Sequence, residues 1–555
     1  MNKISLLTPL TLALFFIACG SDSGNSSSAK MDAEEHKIED KSISGVSQKG
    51  PFVKGSTVTA YELDGSKSLL QTGRSFSGTI SQDDGRFNMS NVSLQSSFVR
   101  LSVNGYYRNE VTGERSASPI TLNAVTDLYA RNTVNVNLLT HLEYDRVAQL
   151  LREGGGTLDI KKVKKQAEKE IFNAFHFDVS DFGYSEDLDV FGKTEADAAL
   201  LAISILLQGD RSEAELTELL AELSSDFEDG KWDDAEKKAE IADWAFENEF
   251  QRKLADYRSN VEGWGLSTTV PDFEKYVHDF WITEKLGSCN VDNEGKIGKV
   301  SSQNFEGVVI TCSNGKWVWS IQGELVDDRD GQRYRTVKIG SQTWMAENLN
   351  YKVESSVCPD NQDSNCTKYG RLYTWGTAVG KSESDCPPDE KCSLPSGNIQ
   401  GVCPSGWHLP TKAEWDTLIT SVGRKLTIAS NALKSTNGWP LSDGWVSNGG
   451  YGYSMATKGE SSACDGCWDV DGWDVYSFSA LPAGDNFSYI GGHAFFWSST
   501  ECDFGDFYEE KWRCAYSFYL NYMNTSAATI AKHQRGIGLG KDSKLYGVSV
   551  RCLQD

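Results

Sequence analysis

The clearest absence in this 555-residue chain is that of cysteine from its first half. After Cys19 no cysteine occurs before Cys289, and twelve follow from there to Cys552. Beyond the first twenty residues the chain also lacks a long apolar run, so the sequence predicts no membrane-spanning helix there. Basic residues are few, since 54 Lys and Arg stand against 78 Asp and Glu and give a net charge of −24. That balance argues against nucleic acid as a partner, because phosphate binding requires a basic surface.

The first residues, MNKISLLTPLTLALFFIACG, have one Lys, then an apolar run, then a small residue before Cys19. This is the layout of a secretory signal, and it is too short for a spanning helix. Residues 1–18 resemble a bacterial lipoprotein signal, which implies that Cys19 is lipidated and that Gly20 permits sorting to the outer membrane of the cell envelope. The alternative is an ordinary secretory signal with an incidental cysteine. Residues 19–42 are rich in Ser and acidic residues and are predicted to be a flexible tether.

The twelve later cysteines form an even set in an exported chain, which predicts up to six disulfide bonds. Their number does not fix their connectivity. The preceding part of the mature chain has to fold without disulfides.

Residues 43–125 have the pattern of short strands separated by turns, as in STVTAYEL, QDDGRF and SFVRLSVNGYY. This spacing favours a small antiparallel β-sandwich. The segment is similar to the prealbumin-like modules of bacterial surface proteins, which usually act as spacers.

Residues 126–284 change to a helical period and are predicted to form an all-α domain of five to seven helices. The segment EADAALLAISILLQG ends at Gly209, a suitable helix C-cap. His141 and His176 are interpreted as core or surface residues, because no Cys or acidic partner recurs at metal-ligand spacing.

Residues 285–323 are predicted to form a small β-module, with VVITC and KWVWS flanking the turn signal SNG. Cys289 and Cys312 would staple a unit that is too small for its own core. Trp317 and Trp319 share one face of a strand, where they either stack on a sugar or, as we favour, pack against a neighbouring unit.

The stretch CPSGWHLPTKAEWDTLI, residues 403–419, places a cysteine, a histidine and a glutamate close together. Thr411 and Glu414 form a capping box, and Trp415, Leu418, Ile419 and Val422 form one apolar helical stripe. Zinc would require three or four ligands at close spacing, and they are not present. The stretch is therefore interpreted as a helix start and its scaffold, and not as a metal or redox site.

Five ordered motifs, DDRDGQRYRTVKIGSQTWMAENLNY, YGRLYTWGTA, CPSGWHLPTKAEWDTL, FWSSTE and GVSVRC, resemble the family called the Fibrobacter succinogenes major paralogous domain. The resemblance covers residues 325–555 and implies an α+β fold of the C-type-lectin-like kind, which formylglycine-generating enzymes share in a variant form. In lectin-like domains the cysteine before the helix bonds a cysteine in the last strand. The resemblance therefore implies a Cys403–Cys552 disulfide.

In that fold a long irregular loop after the helix carries recognition. The corresponding stretch here is rich in Gly, Ser and Asn but also in rings, which stack on the apolar faces of sugars or fill interfaces. About half of these rings are expected to be core residues and the others to form the binding surface. The candidates are Trp439, Trp445, Tyr451, Tyr453, Trp468, Trp473 and Tyr476.

Asp469, Asp471 and Asp474 cluster in DVDGWD and are candidate Ca²⁺ ligands through their carboxylate oxygens. The spacing does not match an EF-hand loop, and a solvated acidic turn is the alternative. No cofactor other than Ca²⁺ is indicated.

The sequence thus predicts a multidomain, lipid-anchored surface protein whose last domain binds carbohydrate, plant cell-wall polysaccharide included, or another surface ligand. One alternative is a thiol oxidase of the formylglycine-generating type, for which Cys464 and Cys467 are the close pair. The other is a structural protein that binds an envelope protein. No hydrolase or other catalytic constellation is recognisable, so we expect no enzyme activity.

Thiol titration of the folded chain separates the enzyme from the other two functions. We expect no cysteine other than Cys19 to react before reduction, because Cys464 and Cys467 should be paired in an oxidising compartment. Full reactivity after denaturation with reductant is the control. Two reactive thiols in the folded chain would instead support the oxidase.

Overall fold

The architecture was obtained as a computed structural model of the chain. It describes residues 36–66, 68–129, 131–154, 160–180, 182–266, 269–423, 426–439, 445–447, 453–455, 472–486, 490–502, 514–521 and 536–555. Within these ranges the N-terminal part consists of β-sheets, the middle part is helical, and the C-terminal part is rich in strands and disulfides.

Seven strands form the N-terminal part: β1 (Ile38–Gln48), β2 (Thr57–Leu63), β3 (Gln71–Thr79), β4 (Arg86–Leu94), β5 (Phe98–Gly105), β6 (Ile120–Asp127) and β7 (Val136–Asn137). They form a four-stranded sheet in the order β3-β2-β5-β6 and a three-stranded sheet in the order β4-β1-β7. β1 begins inside the segment expected to be a tether, because Ile38 and Ile43 are buried in the core. β7 lies beyond residue 125 and pairs in parallel with β1.

The four-stranded sheet is covered on both faces. On one face Val58, Leu101 and Val103 pack into the main core, which also contains Ile43 and Phe87 of the other sheet. The opposite face contributes Leu63, Phe98 and Val125 to a second cluster. Its other buried members are Leu69 and five residues of the first two helices: Val147, Leu151, Ile160, Val163 and Ala167. Because both faces of the sheet are covered, apolar side chains point to both sides of these strands instead of alternating with polar ones.

The middle part contains seven α-helices in its described residues: α1 (Leu138–Glu153), α2 (Ile160–Ala174), α3 (Glu195–Gln208), α4 (Glu213–Asp226), α5 (Ala235–Phe250), α6 (Leu254–Gly263) and α7 (Glu274–Leu286). α3 is the central helix, since all its residues from Ala196 to Gln208 are buried. It begins with a capping box of Thr194 and Asp197 and ends at Gly209, whose φ of 49° suits glycine. None of the helices in the described residues is both long and apolar enough to cross a bilayer.

A small β-module follows, with β8 (Ile297–Val300), β9 (Val308–Ser313) and β10 (Lys316–Val318) in the order β10-β9-β8. Cys289 and Cys312 are bonded to each other as expected. Trp317 is buried and donates its indole N–H to the carbonyl of Gly287 (2.8 Å). Trp319 stacks on Trp281 of α7, with ring centroids 5.7 Å apart. Trp319 therefore packs against the helical part, and Trp317 fixes the module to the residue that follows α7.

The C-terminal part comprises β11 (Ile321–Val326), β12 (Arg333–Ile339), β13 (Gln342–Met345), α8 (Asp363–Tyr369), β14 (Leu372–Tyr373), α9 (Trp375–Ala378), β15 (Trp407–His408), α10 (Lys412–Ser421), α11 (Leu426–Leu433), β16 (Trp445–Ser447), β17 (Tyr453–Met455), β18 (His493–Glu501), β19 (Cys514–Asn521), β20 (Ile537–Ser543), β21 (Val548–Ser549) and β22 (Leu553–Gln554). One sheet has the order β11-β12-β13-β22-β15 and another the order β14-β21-β18-β19-β20. β11 crosses the expected boundary near residue 324 and belongs to the first of these sheets.

Helix α10 fills the space between these sheets. Trp415 stacks on Phe518 of β19 at 4.5 Å and lies 4.5 Å from Trp344 of β13. The capping box of Thr411 and Glu414 is present, as the sequence predicts. The apolar stripe of CPSGWHLPTKAEWDTLI is thus the central contact of the C-terminal part.

Five disulfides join the described cysteines: Cys289–Cys312, Cys358–Cys366, Cys386–Cys392, Cys403–Cys552 and Cys502–Cys514. Cys403 and Cys552 have the pairing that the family resemblance implies. This bond spans 149 positions of sequence and connects the residue before β22 to the segment before α10.

Replacing Cys403 and Cys552 by alanine should lower the free energy of unfolding by roughly 4 to 5 kcal/mol in the chain-entropy model, because the bond closes a loop of 149 residues. The matched control is the double alanine variant of Cys358 and Cys366, which are only 8 positions apart and should lose roughly 2 to 3 kcal/mol. Urea unfolding monitored by tryptophan fluorescence measures both losses. Equal losses would contradict the expected dependence on loop length.

Candidate ligand-binding crevice

A crevice of about 330 Å³ opens in the C-terminal part, beside the β12–β13 hairpin. Its walls come from this hairpin, the end of α8, the segment after α11, residues 474–481, and the residue Arg551 between β21 and β22. It is lined by Gln332, Arg333, Tyr334, Arg335, Ala346, Glu347, Asn348, Asn350, Cys366, Thr367, Lys368, Tyr369, Gly370, Ser435, Thr436, Asn437, Asp474, Ser479, Leu481 and Arg551.

Arg551 lies at the base of the crevice and is fully buried. Its Nε donates to Oδ1 of Asn348 (2.9 Å), and its Nη atoms donate to the carbonyls of Phe478 and Ser479. The guanidinium also lies 4.3 Å from the ring centroid of Phe478, a cation–π contact. Burial lowers the pKa of Arg551 to about 9, an effect that Asp474 opposes. Arg551 therefore remains a cation at neutral pH.

Asn348 connects this cation to two other segments. Its amide Nδ2 donates to the carbonyl of Tyr369 (2.8 Å) and to the hydroxyl of Ser549 (3.2 Å). The close approach depends on Gly370, where φ is 76° and a Cβ would lie 2.8 Å from Cβ of Asn348. Both the left-handed backbone and the lack of space require glycine there. The crevice base is thus fixed by groups from three motifs, MAENLNY, YGRLYTW and GVSVRC.

The rim carries exposed side chains of both charges. Arg335 and Glu347 form an ion pair at 3.5 Å, and their side chains are 55% and 42% exposed. The ammonium group of Lys368 lies 4.7 Å from the ring centroid of Tyr369. Donors, acceptors and a ring therefore surround the opening, an arrangement that can bind polar groups of a ligand.

One wall contains backbone in an unfavourable conformation. Asp474, Ser477 and Ser479 have φ values of 43°, 56° and 52°, which cost roughly 1 to 3 kcal/mol each for residues other than glycine. The carboxylate of Asp474 stabilises this turn by accepting hydrogen bonds from the backbone N–H and the hydroxyl of Ser479, both at 2.6 Å. Burial raises the pKa of Asp474, while these hydrogen bonds oppose the rise.

Two of the seven candidate ring residues are buried and so cannot contact a ligand. Trp439 is 4% exposed and donates its indole N–H to the carbonyl of Ala480 (3.0 Å). Tyr476 is fully buried against Phe250 of α5 and Trp319, with centroids 6.3 Å away from each. Both rings fix the long loop to the core, so neither presents a face to a ligand.

The other five candidates are placed unevenly. Trp473 is partly buried, and its ring meets Phe250 edge-on at 6.1 Å. Trp445 and Tyr453 belong to β16 and β17, which pair in antiparallel fashion, and nothing is described of their side chains. Tyr451 and Trp468 lie outside the described residues. The structure thus brings none of the seven into the crevice lining, as far as its described residues extend.

The calcium hypothesis rests on three carboxylates, of which the structure describes only that of Asp474. Asp469 and Asp471 lie outside the described residues, as do Cys464 and Cys467. Asp474 uses both carboxylate oxygens to cap its own turn. Within the described ranges, no group of three or more His, Cys, Asp or Glu side chains is arranged to hold a metal ion.

His408 and Glu414 are brought together, although not around a metal. Nδ1 of His408 lies 2.7 Å from Oδ1 of Asp555, and Nε2 lies 3.1 Å from Oε1 of Glu414. Burial alone would lower the pKa of His408, but the hydrogen bonds to Glu414 and Asp555 outweigh it and raise the pKa. The histidine therefore links the start of α10 to the last residue of the chain.

The motifs that surround the crevice and α10 are the ones on which the family resemblance rests. Residues 337–554 match the model of the Fibrobacter succinogenes major domain. The match begins twelve positions after the expected boundary at 325 and contains most of the crevice, with Gln332–Arg335 just before it. Comparison of the chain with curated proteins and with solved structures gave no match.

Of the residues that line the crevice, only Asp474 is among the candidates from the sequence, because the motifs that supply many of the others indicate only the family resemblance. Two signals in the sequence could have indicated them. Arg551 stands in the otherwise apolar GVSVRC, beside a cysteine expected to be buried, and a buried cation requires several acceptors. Asn348 stands next to an apolar residue in WMAENL, and an amide that is buried there requires hydrogen-bond partners.

The linkage of His408 to two carboxylates predicts a pH-dependent stability. Because the folded pKa of His408 is raised, its stabilisation is complete below about pH 6.5, its ordinary value, and is lost as the pH rises through the folded pKa. Glu414 has a lowered pKa, so its contribution is lost only at acidic pH. H408Q should therefore be more destabilising at pH 6 than at pH 8.5.

Urea unfolding of the wild type and H408Q at both pH values measures this difference. D555N is the matched variant, because it keeps the imidazole and Glu414 but removes one carboxylate, and it should reduce the pH dependence in part. Equal destabilisation by H408Q at the two pH values would contradict the proposed linkage.

Proposed function

We propose that the chain is a lipid-anchored binding protein of the outer surface of the cell envelope, and that its C-terminal part recognises carbohydrate in the crevice. The observation that carries this proposal is the polar crevice itself, with its fixed base of Arg551 and Asn348 and its rim of Arg335 and Glu347. The match of residues 337–554 supports a surface-associated role. The lipoprotein-like leader and Cys19 support the anchor.

The chemistry of the crevice suits hydroxyl-rich ligands. Each sugar hydroxyl is both a donor and an acceptor, so a binding site has to offer both kinds of group. Arg335 and Lys368 donate, Glu347 accepts, and the amide of Asn437 can do either. Asn348 and Arg551 are already hydrogen-bonded to each other at the base of the crevice. Little side-chain entropy is therefore lost there when a ligand binds.

The lectin-like interpretation of the fold belongs to the same proposal. It is supported by the Cys403–Cys552 bond between the segment before α10 and the end of the chain. It is further supported by the pairing of β22 with both β13 and β15, which brings the two ends of the C-terminal part together.

The thiol oxidase remains a weaker alternative. All ten described cysteines are disulfide-bonded, so a thiol-based site would depend on Cys464 and Cys467. The third function, attachment to another envelope protein, would use the same crevice and is one outcome of the binding experiment below.

The test uses the full chain with C19S, which cannot be lipidated, on insoluble cellulose, on insoluble xylan and on a glycan array, with and without EDTA. We expect retention on at least one glycan and a loss of affinity of tenfold or more in R335A/E347A. The matched control is R152A/E228A, another exposed Arg–Glu pair, which is 3.0 Å apart and lies in the helical part. Both variants should fold normally, because exposed ion pairs contribute about 1 kcal/mol or less.

Failure of the protein to bind any glycan, combined with retention on intact envelopes through the crevice, would favour a protein partner. No retention on either material would overturn the proposal. Loss of binding with EDTA would assign calcium to the site, whereas unchanged binding would remove it.

A further inference from the structure

A second cavity, of about 410 Å³, lies far from the crevice in sequence, between the four-stranded sheet and two helices. Its floor is the outer face of β5 and β6, which carries Arg100 and Asn123, and its walls are α1 and α4. Ligand pockets in proteins have volumes of roughly 300 to 1,000 Å³. The cavity is therefore large enough for a small molecule.

Arg100 is the cation of this cavity, and the described residues give it neither a hydrogen bond nor an ion pair. Its Nε is buried without a partner among them. Its guanidinium contacts the ring of Tyr61, the facing residue on β2, at 4.8 Å. The Nε–H is desolvated without an acceptor from the described part of the chain although the side chain as a whole is only half-buried, so an acceptor that enters the cavity would be bound favourably.

Two further donors face the same space. The hydroxyl of Ser224 on α4 is buried and has no partner among the described residues. His141 on α1 accepts a hydrogen bond at Nδ1 from the backbone N–H of Asn123 (3.3 Å). Burial lowers the pKa of His141 to about 4, so at neutral pH the ring is uncharged and its proton is on Nε2. His141 is thus also a donor.

Other groups of the lining limit the kind of ligand. Asp145, one turn after His141 on α1, is exposed and is the only acid in the described lining. A carboxylate at this position disfavours a multiply charged anion but accepts hydrogen bonds from hydroxyls. The ring of Tyr144 is partly buried beside it and offers an apolar face.

We propose that this cavity binds a small hydroxycarboxylate of the size of one hexuronic acid, with its carboxylate held by Arg100 and Ser224 and its hydroxyls near Asp145. Guanidinium–carboxylate pairs are strong because two parallel hydrogen bonds form. This site is independent of the crevice and of the function proposed for it.

Isothermal titration of the full chain carrying C19S with glucuronate and galacturonate tests the inference, with glucose as the neutral counterpart. We expect one site per chain for a uronate, no binding of glucose, and a loss of affinity of tenfold or more in R100Q. S224A should weaken binding less. The matched control is R74Q, an exposed arginine on β3 of the same sheet, which should bind as the wild type does.

Among the described residues R100Q loses only the contact with the ring of Tyr61, a cation–π contact that contributes little at a half-exposed site. It should therefore unfold at nearly the same temperature as the wild type, which separates loss of binding from loss of structure. The absence of uronate binding in the wild type, equal binding of glucose, or unchanged binding in R100Q would each overturn the inference. Uronate binding that is lost in R335A/E347A would also overturn it, because that result places the acid in the crevice.

Discussion

The last eight residues are the constraint on which the C-terminal part depends. The carbonyls of Val550 and Cys552 accept from Leu349 and Met345, and Cys552 is bonded to Cys403. Between these two contacts the side chain of Arg551 enters the protein and reaches Asn348. One extended segment thus aligns the β12–β13 hairpin, the approach to α10 and the base of the crevice. The geometry of the crevice follows from closure of the chain, since its base cannot form before these ends meet.

Local chemistry explains which features the sequence could predict. The capping box of Thr411 and Glu414, the C-cap at Gly209 and the SNG turn involve neighbours within a few positions, and all three are present. The Cys403–Cys552 pairing is a long-range contact, and only the family resemblance implied it. Period and spacing identify helices and strands because those signals are local. They do not say which elements will share a surface.

The candidate aromatic residues show that local sequence signals do not predict which side chains become buried. Tyr476 and Trp439 lie in a stretch with the composition of a binding loop, yet both are buried. Tyr476 packs against Phe250 of α5 and Trp319 of the β-module, and Trp439 donates to the carbonyl of Ala480. Lys164 is a charged residue whose burial is likewise not predicted by its local sequence. Within KKVKKQAEKE it resembles a solvated residue, but it is 2% exposed and contacts Glu143 (2.5 Å) and Glu186 (2.7 Å). Its ammonium also donates to the carbonyl of Val125 on β6, so it fixes the helices against the four-stranded sheet.

The two cavities differ in how their charges are satisfied, and this difference bears on their ligands. In the crevice Arg551 is saturated by carbonyls and by Asn348, and Arg335 is paired with Glu347, so an incoming ligand exchanges one set of hydrogen bonds for another. Such exchange yields little net free energy per contact and favours extended ligands that make many contacts. In the cavity beside β5 and β6 the side chain of Arg100 has no protein acceptor to exchange among the described residues, so a carboxylate displaces only water from it. An extended polymer thus suits the crevice, and a small acid suits the cavity.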